Sequence, residues 1–103
     1  MAAESDEALA TSCARGDPGS WETLTRTYRD LASRVVRQVA QRQGLRLGDR
    51  DIDEMTSGVF ASLVENEYRR LKRYDPRYPL AGWLRLIARS HALDALRARR
   101  RRA

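Results

Sequence analysis

The sequence predicts an all-α domain, a small four-helix bundle of the kind built from amphipathic helices around one core. Three observations carry that prediction. Trp21, Leu24, Tyr28, Leu31, Val35 and Val39 recur at steps of three and four, which is the period of one helix face. Glycine and proline cluster at the breaks between such stripes, and no internal repeat is present. No segment alternates apolar and polar residues over more than a few positions, as a half-buried strand would.

The first helix is expected from Asp6 to Arg15, with Ser5 as N-cap, Leu9 and Cys13 on one face and Gly16 just past the end. Asp17-Pro18 then reads as a cap followed by proline at the first helical position. The second helix runs to about Gln43, where Gly44 stops it, and a linker from Leu45 to Arg50 follows. Asp51 is expected to cap the third helix, with Asp53 and Glu54 in its first turn, where the helix dipole favours negative charge. Ile52, Met55, Val59, Leu63 and Val64 form its stripe, Phe60 widens it, and it continues to about Arg73.

Tyr74-Asp75-Pro76-Arg77-Tyr78-Pro79 forbids a continuous helix, because two of its positions lack a backbone N–H and fix φ. The last helix starts near Leu80, buries Leu80, Trp83, Leu84, Ile87, Ala88 and Leu93, and runs out into Arg99 to Arg102. The predicted core holds Trp21, Leu24, Tyr28, Leu31, Phe60, Trp83, Leu84 and Ile87. The organisation is a tail at residues 1–5, one domain over residues 6–98, and a basic end over residues 99–103.

A chain of 103 residues is one domain's worth and supports one modest core. With 42% apolar and 33% charged residues and a mean hydropathy of −0.67, the composition is that of a soluble globular domain. No apolar run approaches a membrane span, and the acidic stretch from Met1 to Glu7 does not read as a signal peptide, so a cytoplasmic protein is expected. The lone cysteine, Cys13, rules out an internal disulfide, which fits a reducing compartment.

The charge is divided. Residues 1–68 carry 8 Lys+Arg against 12 Asp+Glu, a net of −4, while residues 69–103 carry 12 against 2, a net of +10. Such a split predicts two faces with two partners, the basic one a polyanion, although a basic end that only aids solubility gives the same numbers. Lys72 is the only lysine, and the arginine fork suits phosphate and base stacking better than an ammonium does.

No catalytic constellation is present, and the chain does not read as an enzyme. His91 is the only histidine and has no cysteine near it in sequence, and Cys13 sits on an apolar face where packing accounts for it. Asp49, Asp51 and Asp53 resemble the start of a calcium loop, but the sixth and twelfth positions are Glu54 and Phe60 instead of Gly and Glu. No metal and no cofactor are expected. The aromatic-basic stretch is more informative. Tyr68, Tyr74, Tyr78 and Trp83 interleave with Arg69, Arg70, Lys72, Arg73, Arg77, Arg85 and Arg89. Single strands are bound by this chemistry, cations tracking phosphates while aromatic faces accept unstacked bases. The competing reading makes the rings core anchors with arginines snorkelling around them. It suits Trp83, whereas the loop from Tyr74 to Pro79 suits base contact.

In order, the residues resemble region two of the extracytoplasmic-function sigma factors of the sigma-70 family. Arg15-Gly16-Asp17 followed by Trp21, Leu24 and Tyr28 looks like that family's opening. Asp53-Glu54 and Val59-Phe60 stand where the family has an acidic pair and a Val-Phe pair in its polymerase-binding helix. Trp83-Leu84, Ile87-Ala88-Arg89, Asp94 and Arg97 match its promoter-reading helix. The resemblance covers about Asp6 to Arg100. It departs at Ser57 and Gly58, where the family usually has Gln and an acidic residue, and at Ser90, where it usually has Asn. The arginine run before Ala103 looks like the start of the linker that leads, in full-length factors, to a second DNA-binding domain.

The resemblance implies an RNA polymerase sigma factor domain that docks on the β′ clamp helices of the core enzyme through Asp53, Glu54, Ser57, Val59 and Phe60. It also implies recognition and melting of the promoter −10 element, with the single-stranded non-template strand held by Tyr74, Arg77, Tyr78, Arg85, Arg89, Ser90 and Arg97. An anti-sigma factor is a further implied partner. Two other readings stay open: a sigma-like helical interaction module without promoter activity, and a non-specific nucleic-acid-binding helical domain.

Overall fold

The computed structural model describes residues 5–102. It contains four α-helices, α1 (Asp6–Ala14), α2 (Pro18–Arg42), α3 (Asp49–Lys72) and α4 (Leu80–Arg102). No strand occurs among the described residues. The helices form a small bundle with extents of 45 × 28 × 24 Å, in which α2 lies along α4 and α3, and α1 rests on α3 and α2. Of the expected tail, only Ser5 falls within the described residues. Arg99 to Arg102, into which the last helix is expected to run, are the last turn of α4.

The first two helix starts follow local chemistry. Ser5 Oγ accepts the Ala8 N–H at 3.1 Å, and the Asp17 carboxylate accepts both the N–H and the hydroxyl of Ser20 at 2.8 Å. Each satisfies an N–H that the helix itself leaves unpaired. Those Ser20 bonds, with Arg15 nearby, hold the Asp17 carboxyl below the usual carboxylate range. Between the two helices Gly16 takes φ +80°, a left-handed turn that glycine adopts without steric cost.

The third helix departs from expectation at both ends. It begins at Asp49 with Gly48 at the N-cap, so Asp51 lies inside the first turn and does not cap it. Near its far end the helix is broken. Glu65 is extended, and Asn66, Glu67 and Tyr68 take φ of 53°, 57° and 63°. Left-handed backbone costs an L-residue about 1–2 kcal/mol, so this kink must be held by tertiary contacts. Tyr68 supplies two. Its ring lies 6.1 Å from that of Trp21, and its hydroxyl stands 3.0 Å from where a Cβ on Gly16 would be. The stripe expected to run through Val64 therefore ends at Leu63, and Val64 is exposed.

The fourth helix is capped from a distance. Pro79 precedes it and has no side-chain acceptor, so the Leu80 N–H donates to the Asp6 carboxylate of α1 at 2.9 Å. Leu80, Leu84, Ala88, Ala92 and Leu96, each four apart, make its buried stripe.

The core contains Leu24, Phe60 and Leu84, as the stripes predict. Trp21, Tyr28, Leu31, Trp83 and Ile87 are corrected from core to rim, since they are only half-buried and pack around that core. For Trp21 the reason is polar: its indole N–H donates to the Cys13 carbonyl at 2.9 Å, which keeps the ring near the surface. Val35, Val36, Val39, Ile52, Val59 and Leu63 fill the centre in their place.

Candidate nucleic-acid interface

The loop between α3 and α4 is built before any ligand arrives. Asp75 accepts the Arg77 backbone N–H at 3.0 Å, and its carboxylate grips the Arg77 guanidinium with contacts of 2.7–3.1 Å. These bonds, the arginine foremost, hold the Asp75 carboxyl below its ordinary range. The Tyr74 hydroxyl donates to the Tyr78 carbonyl. Pro76 and Pro79 restrict the remaining backbone freedom.

Tyr74 is corrected from a base-contacting residue to a core one. It is 8% exposed, and its ring stands 5.4 Å from that of Trp83, tilted by 56°. Burial, with the carboxylates of Asp6, Asp75 and Glu7 and the neighbouring Tyr28, raises its hydroxyl above the ordinary value. A ring so enclosed cannot receive a base. It anchors the loop from beneath.

Tyr78 is the opposite case, 63% exposed although its backbone is tied. With Pro79, Gly82, Trp83 and Leu86 it lines a groove of 480 Å³, at whose rim stand Arg73 and Asp75. Leu86, 66% exposed, is the functional candidate that sequence reading missed. The four-residue spacing from Leu80 to Leu96 contains its signal, because position 86 falls off that stripe while remaining large and apolar. Leaving Tyr78 and Leu86 in water is unfavourable, and the groove suits a flat, apolar-faced ligand with anionic neighbours.

The remaining expected contacts divide. Arg85, Arg89 and Ser90 are exposed on α4, and neither arginine forms an ion pair among the described residues. Arg97 lies 3.6 Å from Asp94, and Arg77 is committed to Asp75.

On the helix expected to meet polymerase, Asp53, Glu54 and Ser57 are exposed. Glu54 lies 3.5 Å from Arg50, and Ser57 Oγ accepts from Arg29 at 3.3 Å. Val59 and Phe60 are corrected from contact residues to core, being 0% and 6% exposed and enclosed within the bundle. Gly58 has a structural reason of its own. A Cβ there would stand 2.6 Å from His91 Nε2 on α4, so the present position of the His91 ring depends on that residue having no side chain.

Among the described residues no group of three or more His, Cys, Asp or Glu side chains is placed to hold a metal ion, and no helix is long and apolar enough to cross a membrane. Comparison with protein-family models, with curated proteins and with solved structures found no match.

Proposed function

We propose that this domain is a sigma-type region two module, a cytoplasmic non-enzymatic protein that joins RNA polymerase core to promoter DNA and holds the single-stranded −10 element. The observation that carries the reading is the pairing of a braced loop with an exposed ring. Tyr78 is fixed through its backbone by Tyr74 while its side chain stays open to solvent beside Trp83 and Leu86. A site ordered in advance loses less entropy when it captures a ligand. Stacking contributes about 1–3 kcal/mol per base, which offsets the roughly 1.4 kcal/mol of stacking lost at each opened step. Arg73, Arg85 and Arg89 supply the positive field for the backbone. Asp53, Glu54 and Ser57 of α3 form the surface offered to the β′ clamp helices, and an anti-sigma factor is the natural competitor for either face.

The test is a titration with single-stranded and duplex −10-like DNA, cognate and scrambled, using the native domain and Tyr78→Ala. The reading expects tighter binding of the single strand and, in Tyr78→Ala, a loss of roughly 5- to 150-fold for one stacked base, larger on the cognate strand if the loop also reads the base edge. Equal losses on both sequences would leave a basic helical binder without base discrimination. A pull-down of core polymerase that is insensitive to Asp53→Lys with Glu54→Lys would remove the polymerase half of the proposal.

A further inference from the structure

We propose that Arg34 and Gln38 of α2, with Arg85 of α4, form a seat for one phosphodiester group of the bound strand. The inference deepens the nucleic-acid reading above and rests on it, but Arg34 and Gln38 come from α2, a helix to which that reading gives no role.

The three side chains line a cleft of 120 Å³ between α2 and α4, with Leu31 and Val35 as its apolar floor. Arg34 and Gln38 are one turn apart and therefore share a face of α2, and Arg85 meets them from the facing helix. No carboxylate lines the cleft. Arg34 and Arg85 are exposed, and neither has an ion-pair partner among the described residues. Asp30, one turn before Arg34, does not pair with it. Arg89 adds a like charge one turn beyond Arg85, a spacing that is unfavourable until an anion neutralises it.

Two guanidinium groups, which only donate, and a primary amide, which can donate through its NH2, with no carboxylate among them, match the several lone pairs of a phosphate. The location fits a strand as well. Arg85 immediately precedes Leu86, so the cleft and the aromatic groove flank the same turn of α4. A nucleotide with its base against Tyr78 and Leu86 would then have its backbone continue over Arg85 towards α2.

The experiment compares the native domain with Arg34→Ala, Arg34→Lys and Tyr78→Ala in titrations of single-stranded DNA over a range of salt concentrations. Arg34→Ala should weaken cognate and scrambled strands alike and reduce the slope of log affinity against log salt by about 0.7, one phosphate contact. Arg34→Lys should restore the slope but only part of the affinity, since the fork is lost and the charge kept. Tyr78→Ala should leave the slope intact. An unchanged slope in Arg34→Ala, while the native domain still binds DNA, overturns the seat and leaves the promoter reading standing. If the native domain binds no DNA, inorganic phosphate decides instead. Shifts of the Arg34 and Arg85 Nε–H and Gln38 amide resonances, absent with chloride at equal ionic strength, would support an anion seat without the strand, and no shift would overturn it.

Discussion

At its N-terminal end α4 is fastened by a carboxylate from 74 residues earlier in the chain, by the buried Tyr74 and by a rigid loop. At its C-terminal end, beyond the buried Leu96, the same helix is held by polar contacts that are partly or fully exposed. Arg99 lies 3.4 Å from Asp51, Arg100 donates to the Gln43 amide oxygen, and Arg101 and Arg102 are exposed. The two ends carry the same sign of charge in different states of order. Recognition of a base needs atoms at fixed positions, whereas attraction of phosphates needs only charge nearby. The first end is fastened by buried contacts, and the last turn at the second by polar ones at the surface.

The comparison can be broken most severely at Tyr74. Tyr74→Ala should cost about 3–5 kcal/mol, the range for removing a buried aromatic side chain, and chemical denaturation would measure it. Tyr74→Phe retains the ring, and losing one hydrogen bond should cost about 1 kcal/mol. Comparable losses from both variants would mean that the hydroxyl, not the ring, anchors the loop.

Asp6→Ala is the next largest, at about 1 kcal/mol for a lost helix cap. Because the cap belongs to α4, the variant should also loosen the groove, and hydrogen exchange at Leu80 and Trp83 should accelerate more than in the middle of α2.

Midway along α4, His91 gives a pH dependence. Burial, with Arg70 of α3 adding to it, holds the imidazole below its ordinary 6.5, against the opposing pull of Asp94 and Glu65. The unfolded chain takes up its proton first as pH falls, so the stability contributed by the neutral ring is present above 6.5 and declines below it. Thermal melts at about pH 7.5 and about pH 5.5 should differ more for the native domain than for His91→Asn.

Arg99→Ala should have the smallest effect on folding, within about 0.5 kcal/mol, because the pair it breaks is partly exposed. A larger loss would show that the end of α4 is docked rather than loose.

What the sequence discloses depends on whether the cause of a feature is local. The stripe containing Leu24 and the break at the two prolines are local, and both were readable. Asp6 was not, because the N–H it caps belongs to Leu80. Aromatic rings among arginines drew attention to this loop but could not separate Tyr74, which is buried, from Tyr78, which is exposed. The left-handed run from Asn66 to Tyr68 has no glycine or proline to announce it, and it depends on contacts with Trp21 and Gly16 that only the fold creates. Gly58 reads as a helix defect until His91 is seen against it. Leu86 was passed over because it fell outside the apolar set assigned to the last helix and no motif gave it a role.

The bond between Asp6 and Leu80 also has a consequence in time. A ribosome delivers the chain in order, so Asp6 emerges 74 residues before the N–H it will cap. Until α4 follows, α2 lacks one of the helices it packs against. Nascent chains paused before Leu80 should therefore be bound by chaperones that recognise exposed apolar segments, and release from them should coincide with completion of α4.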